Sequence, residues 1–215
     1  MGMEVKMTPG KGPTIDETID TPEDIDKLKT TLTDELDYFY DSLFLVRHRL
    51  NGVAPLFGFC VGPFTLICFM IEGSSPKSFT KIKRWMYVWP EDFKRLIDML
   101  TEVLIIFLMN QIKAGAQLLQ VFESFIGELS PWEFNTFFLP ALTKLSNDVK
   151  NAFPDVPLIL FPRRCHFCNK SVAQNTSFDG ISLDTKQSIS EVRQDAGTLL
   201  LQGNLEPCVL FGTDQ

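Results

Sequence analysis

The stretch LFGFCVGPFTLICFMIEG, residues 56–73, decides between two kinds of fold. From Val53 to Ile71 the chain runs 19 residues without a charge, enough for a helix to cross a hydrocarbon core about 30 Å thick. Pro55 and Pro63 interrupt the run, with Gly58 and Gly62 between them. A spanning helix tolerates one such breaker, whereas a cluster reads as a short buried strand, a turn and a new element. Neither flank carries the Trp/Tyr and Lys/Arg anchors of a span. The stretch is therefore read as a strand over Leu56–Gly62 and a helix opening at Pro63. Glu72-Gly73-Ser74-Ser75-Pro76 stops that helix, and no membrane partner is expected.

Upstream, residues 1–20 read as loop, because Thr8-Pro9-Gly10-Lys11-Gly12-Pro13 resists regular structure. Residues 21–51 read as helical. Thr21-Pro22-Glu23-Asp24 is a helix start, and Leu36, Phe39, Tyr40, Leu43 and Val46 recur at helical spacing over 32–51. Downstream, 52–212 reads as a series of βα units. A helix over 78–88 is basic on one face, and a second runs from Pro90 to Ile112. A strand at 118–122, a helix at 131–151 and strands at 157–161, 178–184 and 198–202 follow. Strands of four to six apolar residues trading places with helices predict an α/β fold with a parallel sheet. That sheet is either an open doubly wound sheet or part of an eight-fold barrel, within one domain spanning 1–215.

A content of 45% hydrophobic and 22% charged residues is that of an ordinary globular domain. The formal net charge of −7, with no Lys/Arg-rich run, argues against nucleic acid as a partner. No G-x-G-x-x-G or Walker-type loop follows any strand, so nucleotide binding has no support. The five cysteines, Cys60, Cys68, Cys165, Cys168 and Cys208, are scattered through apolar segments, and MGMEVKMTPGKGP has no apolar signal region. Buried, reduced thiols in a cytoplasmic protein are the expectation.

In parallel α/β folds the chemistry gathers where strands end and loops begin. Four strand ends qualify: Phe59 to Thr65, Phe122-Glu123-Ser124, Arg163 to Phe167, and Gln202 to Pro207. Glu123-Ser124 is a polar pair ending an apolar strand, although Ser124 equally suits a helix cap. Cys165-x-x-Cys168 invites a zinc or redox reading, but zinc needs further ligands that Cys208, a carboxylate or His48 would have to supply. No metal is expected. His166 has only His48 as a fellow histidine and no G-x-S-x-G occurs, which leaves little material for a nucleophile triad. Arg163-Arg164 would suit a carboxylate-rich ligand, or are two surface charges.

Several strings, taken in order, carry a resemblance. Gly2-Met3-Glu4-Val5 with Pro9-Gly10-Lys11-Gly12-Pro13 is similar to GMEV…PGKGP, and Gly62-Pro63-Phe64-Thr65-Leu66 with Met70-Ile71-Glu72-Gly73 to [AG]PWTL…MVEG. Lys83-Arg84-Trp85 is similar to KRW, Ala114 to Ser124 to GAQALQLFES, and Gln202 to Pro207 to QGNLDP. These motifs resemble the uroporphyrinogen decarboxylase family over almost the whole chain. The resemblance implies a (β/α)8 TIM barrel, a cytoplasmic homodimer, and no metal or organic cofactor. It implies an enzyme of haem and porphyrin biosynthesis, a carboxy-lyase whose substrate is a tetrapyrrole. The family removes the four acetate carboxylates of uroporphyrinogen III to give coproporphyrinogen III. Protonation of a pyrrole carbon makes the ring its own electron sink, so the protein has to bind carboxylates, hold pyrrole N–H groups and move protons.

By the same resemblance Ser124 is a substrate-binding side chain, and Phe69 stands where the family has a substrate-contacting tyrosine. Gly62, Pro63, Glu123, His166 and Asn204 are further pocket residues. The family's LDW strand end reads Leu183-Asp184-Thr185. The strings RQAGRY, FSDIL and NLGHG do not occur in the sequence, so the resemblance puts the family's catalytic aspartate, arginines and histidine outside this chain. About five strands are legible where a closed barrel needs eight. An incomplete barrel of roughly strands 3 to 7, lacking the first two and last units and inactive alone, is the expectation. Two other readings are a non-catalytic truncated form that docks on full-length subunits, and a relative moving methyl groups on zinc near Cys165-His166. Phe69, Ser124 and Asn204 are expected to meet at one cavity.

Overall fold

A computed structural model describes residues 1–10, 12–31 and 36–212. The first twenty residues are not simply loop: β1 (Val5–Thr8) pairs antiparallel with β2 (Gly12–Ile15), Val5 opposite Ile15 and Thr8 opposite Gly12. The Pro9-Gly10 pair that argued against regular structure belongs to the reversal of this hairpin, with Gly10 at φ 76°. Pro13 is accommodated because each strand of a two-stranded ribbon is an edge. Beyond the ribbon, Asp24 opens the 3-10 turn Pro22–Lys27 by accepting the N–H groups of Asp20 and Thr21, both at 3.0 Å. The hydrogen bond from Lys27, with those from the backbone, holds the Asp24 carboxyl down at about 2.

α1 (Asp37–Leu50) buries none of its residues; its Phe39 and Tyr40 rings lie 5.4 and 6.1 Å from Phe107 on a neighbouring helix. The start of the helix expected over 32–51 lies outside the described residues.

The decisive stretch folds as read. β3 (Phe57–Val61) gives way at Gly62 to α2 (Pro63–Glu72). Seven of the ten α2 residues are buried, including Phe64, Ile67 and Ile71. Their apolarity serves a protein core. No helix among the described residues is long and apolar enough to cross a membrane.

α3 (Thr80–Val88) and α4 (Pro90–Lys113) lead to β4 (Leu118–Glu123). α5 (Pro131–Glu133) then runs through a π turn, Phe134–Phe138, into α6 (Leu139–Ala152). The π turn ends two residues before Pro140, whose missing N–H cannot continue an α ladder. β5 (Leu158–Pro162), α7 (Asn169–Asn175), β6 (Gly180–Ser182), α8 (Ile189–Ala196) and β7 (Leu200–Gln202) complete the series.

All five long-range strands are parallel and lie in the order β3-β4-β5-β6-β7, each beside its successor. A doubly wound sheet reverses its strand order at a switch point; this one never does, and it is an arc of a barrel. Strand alternation separates two faces. Gly58, Cys60, Leu119, Val121, Leu158, Leu160 and Ile181 are buried beneath the helices. Here Phe64 and Phe138 meet edge to face at 4.8 Å, beside the fully buried Trp85, Phe93 and Phe134.

The opposite face carries Phe57, Phe59, Val61, Gln120, Phe122 and Phe161, partly or largely exposed. On it Phe59, Phe122 and Phe161 form an edge-to-face ladder with centroids 5.9 and 6.0 Å apart. The strands were expected to be buried, as parallel strands usually are; that holds for the helix side, whereas on the opposite face Ile159 and Gly180 are buried and their neighbours are not.

Candidate functional site

The first cluster forms where β3 and β4 end. Gly62 continues the ladder one bond beyond β3, its N–H donating to Phe122 O at 2.8 Å. The first turn of α2 then presents N–H groups with no partner inside the helix. Glu123, the last residue of β4 and 0% exposed, supplies the acceptors. Its Oε1 takes the Phe64 N–H at 3.0 Å, and its Oε2 takes the Thr65 N–H and hydroxyl, each at 2.9 Å. Burial pushes its carboxyl up to about 7 in spite of these donors. A Cβ on Gly62 would fall 2.3 Å from Glu123 Cδ, so any larger residue here would have to displace the Glu123 side chain. Gly62, Pro63 and Glu123, expected in a pocket, are buried in the helix layer and build the turn that supports the rim.

Ser124 follows immediately, and its N–H donates to Thr65 Oγ1 at 2.8 Å. It opens the turn that follows β4 and is half-buried. Its hydroxyl has no hydrogen-bond partner among the described residues. Phe69 lies one turn beyond Thr65 on α2, half-buried, its ring 5.8 Å from that of Phe125. Phe69 and Ser124 thus come to the same corner, where phenylalanine offers a ring without a hydroxyl.

The second cluster ties the ends of β5, β6 and β7 together. Arg163 N–H donates to Glu123 O at 3.1 Å and carries the β4–β5 ladder one residue past its last pair. Arg164 adopts the left-handed conformation, φ 61°, and its N–H donates to Asp184 Oδ2 at 2.8 Å. Asp184 also accepts the Lys186 N–H at 2.9 Å and faces His166 Nε2 at 3.1 Å. Partial burial works against its charge, but the hydrogen bonds from Lys186, Arg164 and His166 outweigh that and hold its carboxyl below the ordinary range. Asn204 Nδ2 donates to Asp184 O at 2.8 Å and Gln187 O at 2.6 Å. His166 and Asn204 therefore meet around Asp184. The sequence flagged Asp184 only as a strand end; its place as the hub became visible once three loops were brought to it.

All these groups lie at the C-terminal edge of the sheet, in two clusters linked through Glu123 and Arg163. Phe69 and Ser124 belong to one and Asn204 to the other. A cleft of 710 Å³ is lined by Gly10, Glu72 and Ser74 to Ser78 and takes in none of the three residues expected to share a cavity. Cys165 and Cys168 are buried, and Cys168 Sγ donates to Cys165 O at 2.8 Å. Burial raises the Cys168 thiol well above its ordinary value, which removes its nucleophilic form. Among the described residues no group of three or more His, Cys, Asp or Glu is placed to hold a metal ion.

Comparison with known proteins bears on the same residues. The solved methyltransferase from Methanosarcina mazei superposes with a TM-score of 0.77 at 20% identity, covering 95% of this chain and 60% of that one. A B12-independent methionine synthase from Shewanella superposes at 0.55 with 10% identity. At such identities the likeness is one of fold. In sequence, the uroporphyrinogen decarboxylase from Danio rerio is 41% identical over 223 residues, covering all of this chain and 60% of the relative. The enzymes so named from Salinibacter ruber and Homo sapiens are 39% and 37% identical, again with 60% of the relative covered. The chain therefore spans about 60% of the length of these curated relatives. The family profile described as "Uroporphyrinogen decarboxylase (URO-D)" matches residues 1–215. A match from end to end, on a barrel arc whose strand ends carry the shared motifs, makes this chain a member of the uroporphyrinogen decarboxylase family.

Proposed function

We propose that this chain supplies the middle units of a uroporphyrinogen-decarboxylating barrel. In that reaction the four acetate carboxylates of uroporphyrinogen III leave as carbon dioxide and coproporphyrinogen III remains. The observation that carries the reading is the match to the family over residues 1–215, which includes Ser124, whose hydroxyl has no hydrogen-bond partner among the described residues. Ser124 would donate to a substrate carboxylate, while Phe69 and the Phe59–Phe122–Phe161 ladder would offer ring faces to the macrocycle. The proposed setting is the family's, a homodimer in the cytoplasm working on a tetrapyrrole.

Decarboxylation further needs a carboxylate to hold the pyrrole N–H groups and a proton source. The family strings RQAGRY, FSDIL and NLGHG, which carry those groups, do not occur in these 215 residues. The expected outcome for the purified chain is binding without turnover. Uroporphyrin, the oxidised octacarboxylate, should quench tryptophan fluorescence saturably, and anaerobic incubation with uroporphyrinogen should yield no lower carboxylate by chromatography. Absence of any saturable quenching would refute the binding assignment. Formation of coproporphyrinogen would refute the division of labour.

A further inference from the structure

We propose that Arg163, paired with Ser124, is a carboxylate seat at the C-terminal end of β5. The last registered pair of the β4–β5 ladder is Glu123 with Pro162, and both side chains are buried under the helices. The first residues after the two strands are Ser124 and Arg163, their backbones held side by side by the 3.1 Å bond from Arg163 N–H to Glu123 O. Both open the turns that follow β4 and β5, one residue past the buried Glu123–Pro162 pair and two past the Phe122–Phe161 ring pair.

Arg163 is exposed and its guanidinium has neither an ion-pair nor a hydrogen-bond partner among the described residues. In a chain of net charge −7, a cation left without an acid beside an unpartnered hydroxyl is set up for an external anion. A guanidinium fork and a hydroxyl at one spot suit the two oxygens of a carboxylate. The aromatic ladder below suits a carboxylate carried on a flat ring.

The backbone around Arg163 is fixed from both sides. Arg164 is anchored to Asp184 at 2.8 Å. Gly127, in the loop that follows Ser124, packs so closely that a Cβ there would lie 2.6 Å from Arg164 Cβ. The seat is built by packing between three strand ends and does not depend on a mobile loop. It rests on the proposed function for the identity of the ligand, an acid side chain of the tetrapyrrole, but not for the chemistry of the seat.

The test uses the whole chain and an arginine reagent, phenylglyoxal, with modification of each arginine followed by peptide mass spectrometry. The probes are benzene hexacarboxylate and uroporphyrin. Either anion is expected to slow modification of Arg163 about tenfold, the scale of one charge-assisted contact, and to leave Arg49 on α1 unchanged. Arg163→Ala should weaken benzene hexacarboxylate binding by a similar factor, with Arg163→Lys recovering part of the loss. Protection by benzene hexacarboxylate but not by uroporphyrin would support the seat and overturn the tetrapyrrole reading. Equal labelling of Arg163 with and without both anions would overturn the seat.

Discussion

Glu123 shows how one residue can be both buried and charged enough to matter. Its two oxygens answer three donors from the start of α2, where the helix dipole also favours an anion. Full burial nevertheless wins, and the carboxyl titrates near 7 where an ordinary glutamate would titrate at 4.5. The native state therefore holds its proton more tightly than the unfolded chain. Its contribution to stability is complete below about pH 4.5 and declines as pH rises to 7, a loss on the order of 3 kcal/mol. Asp24, held at about 2, acts in the opposite sense, but its window lies below pH 4. Melting temperature is expected to fall between pH 5 and 8, and Glu123→Gln, which cannot ionise, to flatten that slope. A wild-type profile that is flat over the same range would contradict the assignment.

The elements that were legible in the sequence are those whose pattern is long or sharply punctuated. The opening stretch could be divided correctly because Pro55, Gly58, Gly62 and Pro63 cannot share one helix, and α4 declared itself by 24 residues of apolar periodicity. α7 and α8, seven and eight residues long, are too short to display a face in the sequence. The β1–β2 ribbon reads as loop in the sequence because its turn residues outweigh two strands of four residues each. Among site residues, Ser124 was placed at a strand end by sequence. The inward turn of Glu123 was not, since a strand's period gives its two faces but not which of them the helices will cover. The β3–α2 junction is where local sequence and tertiary packing are tied most tightly. Gly62→Ala would drive a methyl group into Glu123; the expected cost is about 1–3 kcal/mol, measurable by urea unfolding, with native secondary structure retained.

At the scale of the whole molecule, the sheet is sealed on one side and open on the other. Phe59 is 61% exposed, Phe57 42% and Leu200 55%, and the rings of Phe122 and Phe161 extend the same surface. Among the described residues β3 and β7 each have one unpaired edge, and such edges template pairing with other chains. A contiguous apolar face flanked by free edges is a surface that water disfavours. Covering one aromatic side chain is worth about 1.5–3 kcal/mol, so covering three neighbouring rings offers several times the energy of thermal motion. The purified chain is therefore expected to associate with itself in proportion to concentration and to enhance the fluorescence of an apolar dye. Phe59→Asp places a charge in the middle of that face without touching the helix-side core. It should shift sedimentation toward the monomer and reduce dye fluorescence, leaving helical circular dichroism intact. A wild-type chain that sediments as a monomer at every concentration and ignores the dye would mean that the open face is closed in solution by an arrangement the arc itself does not provide.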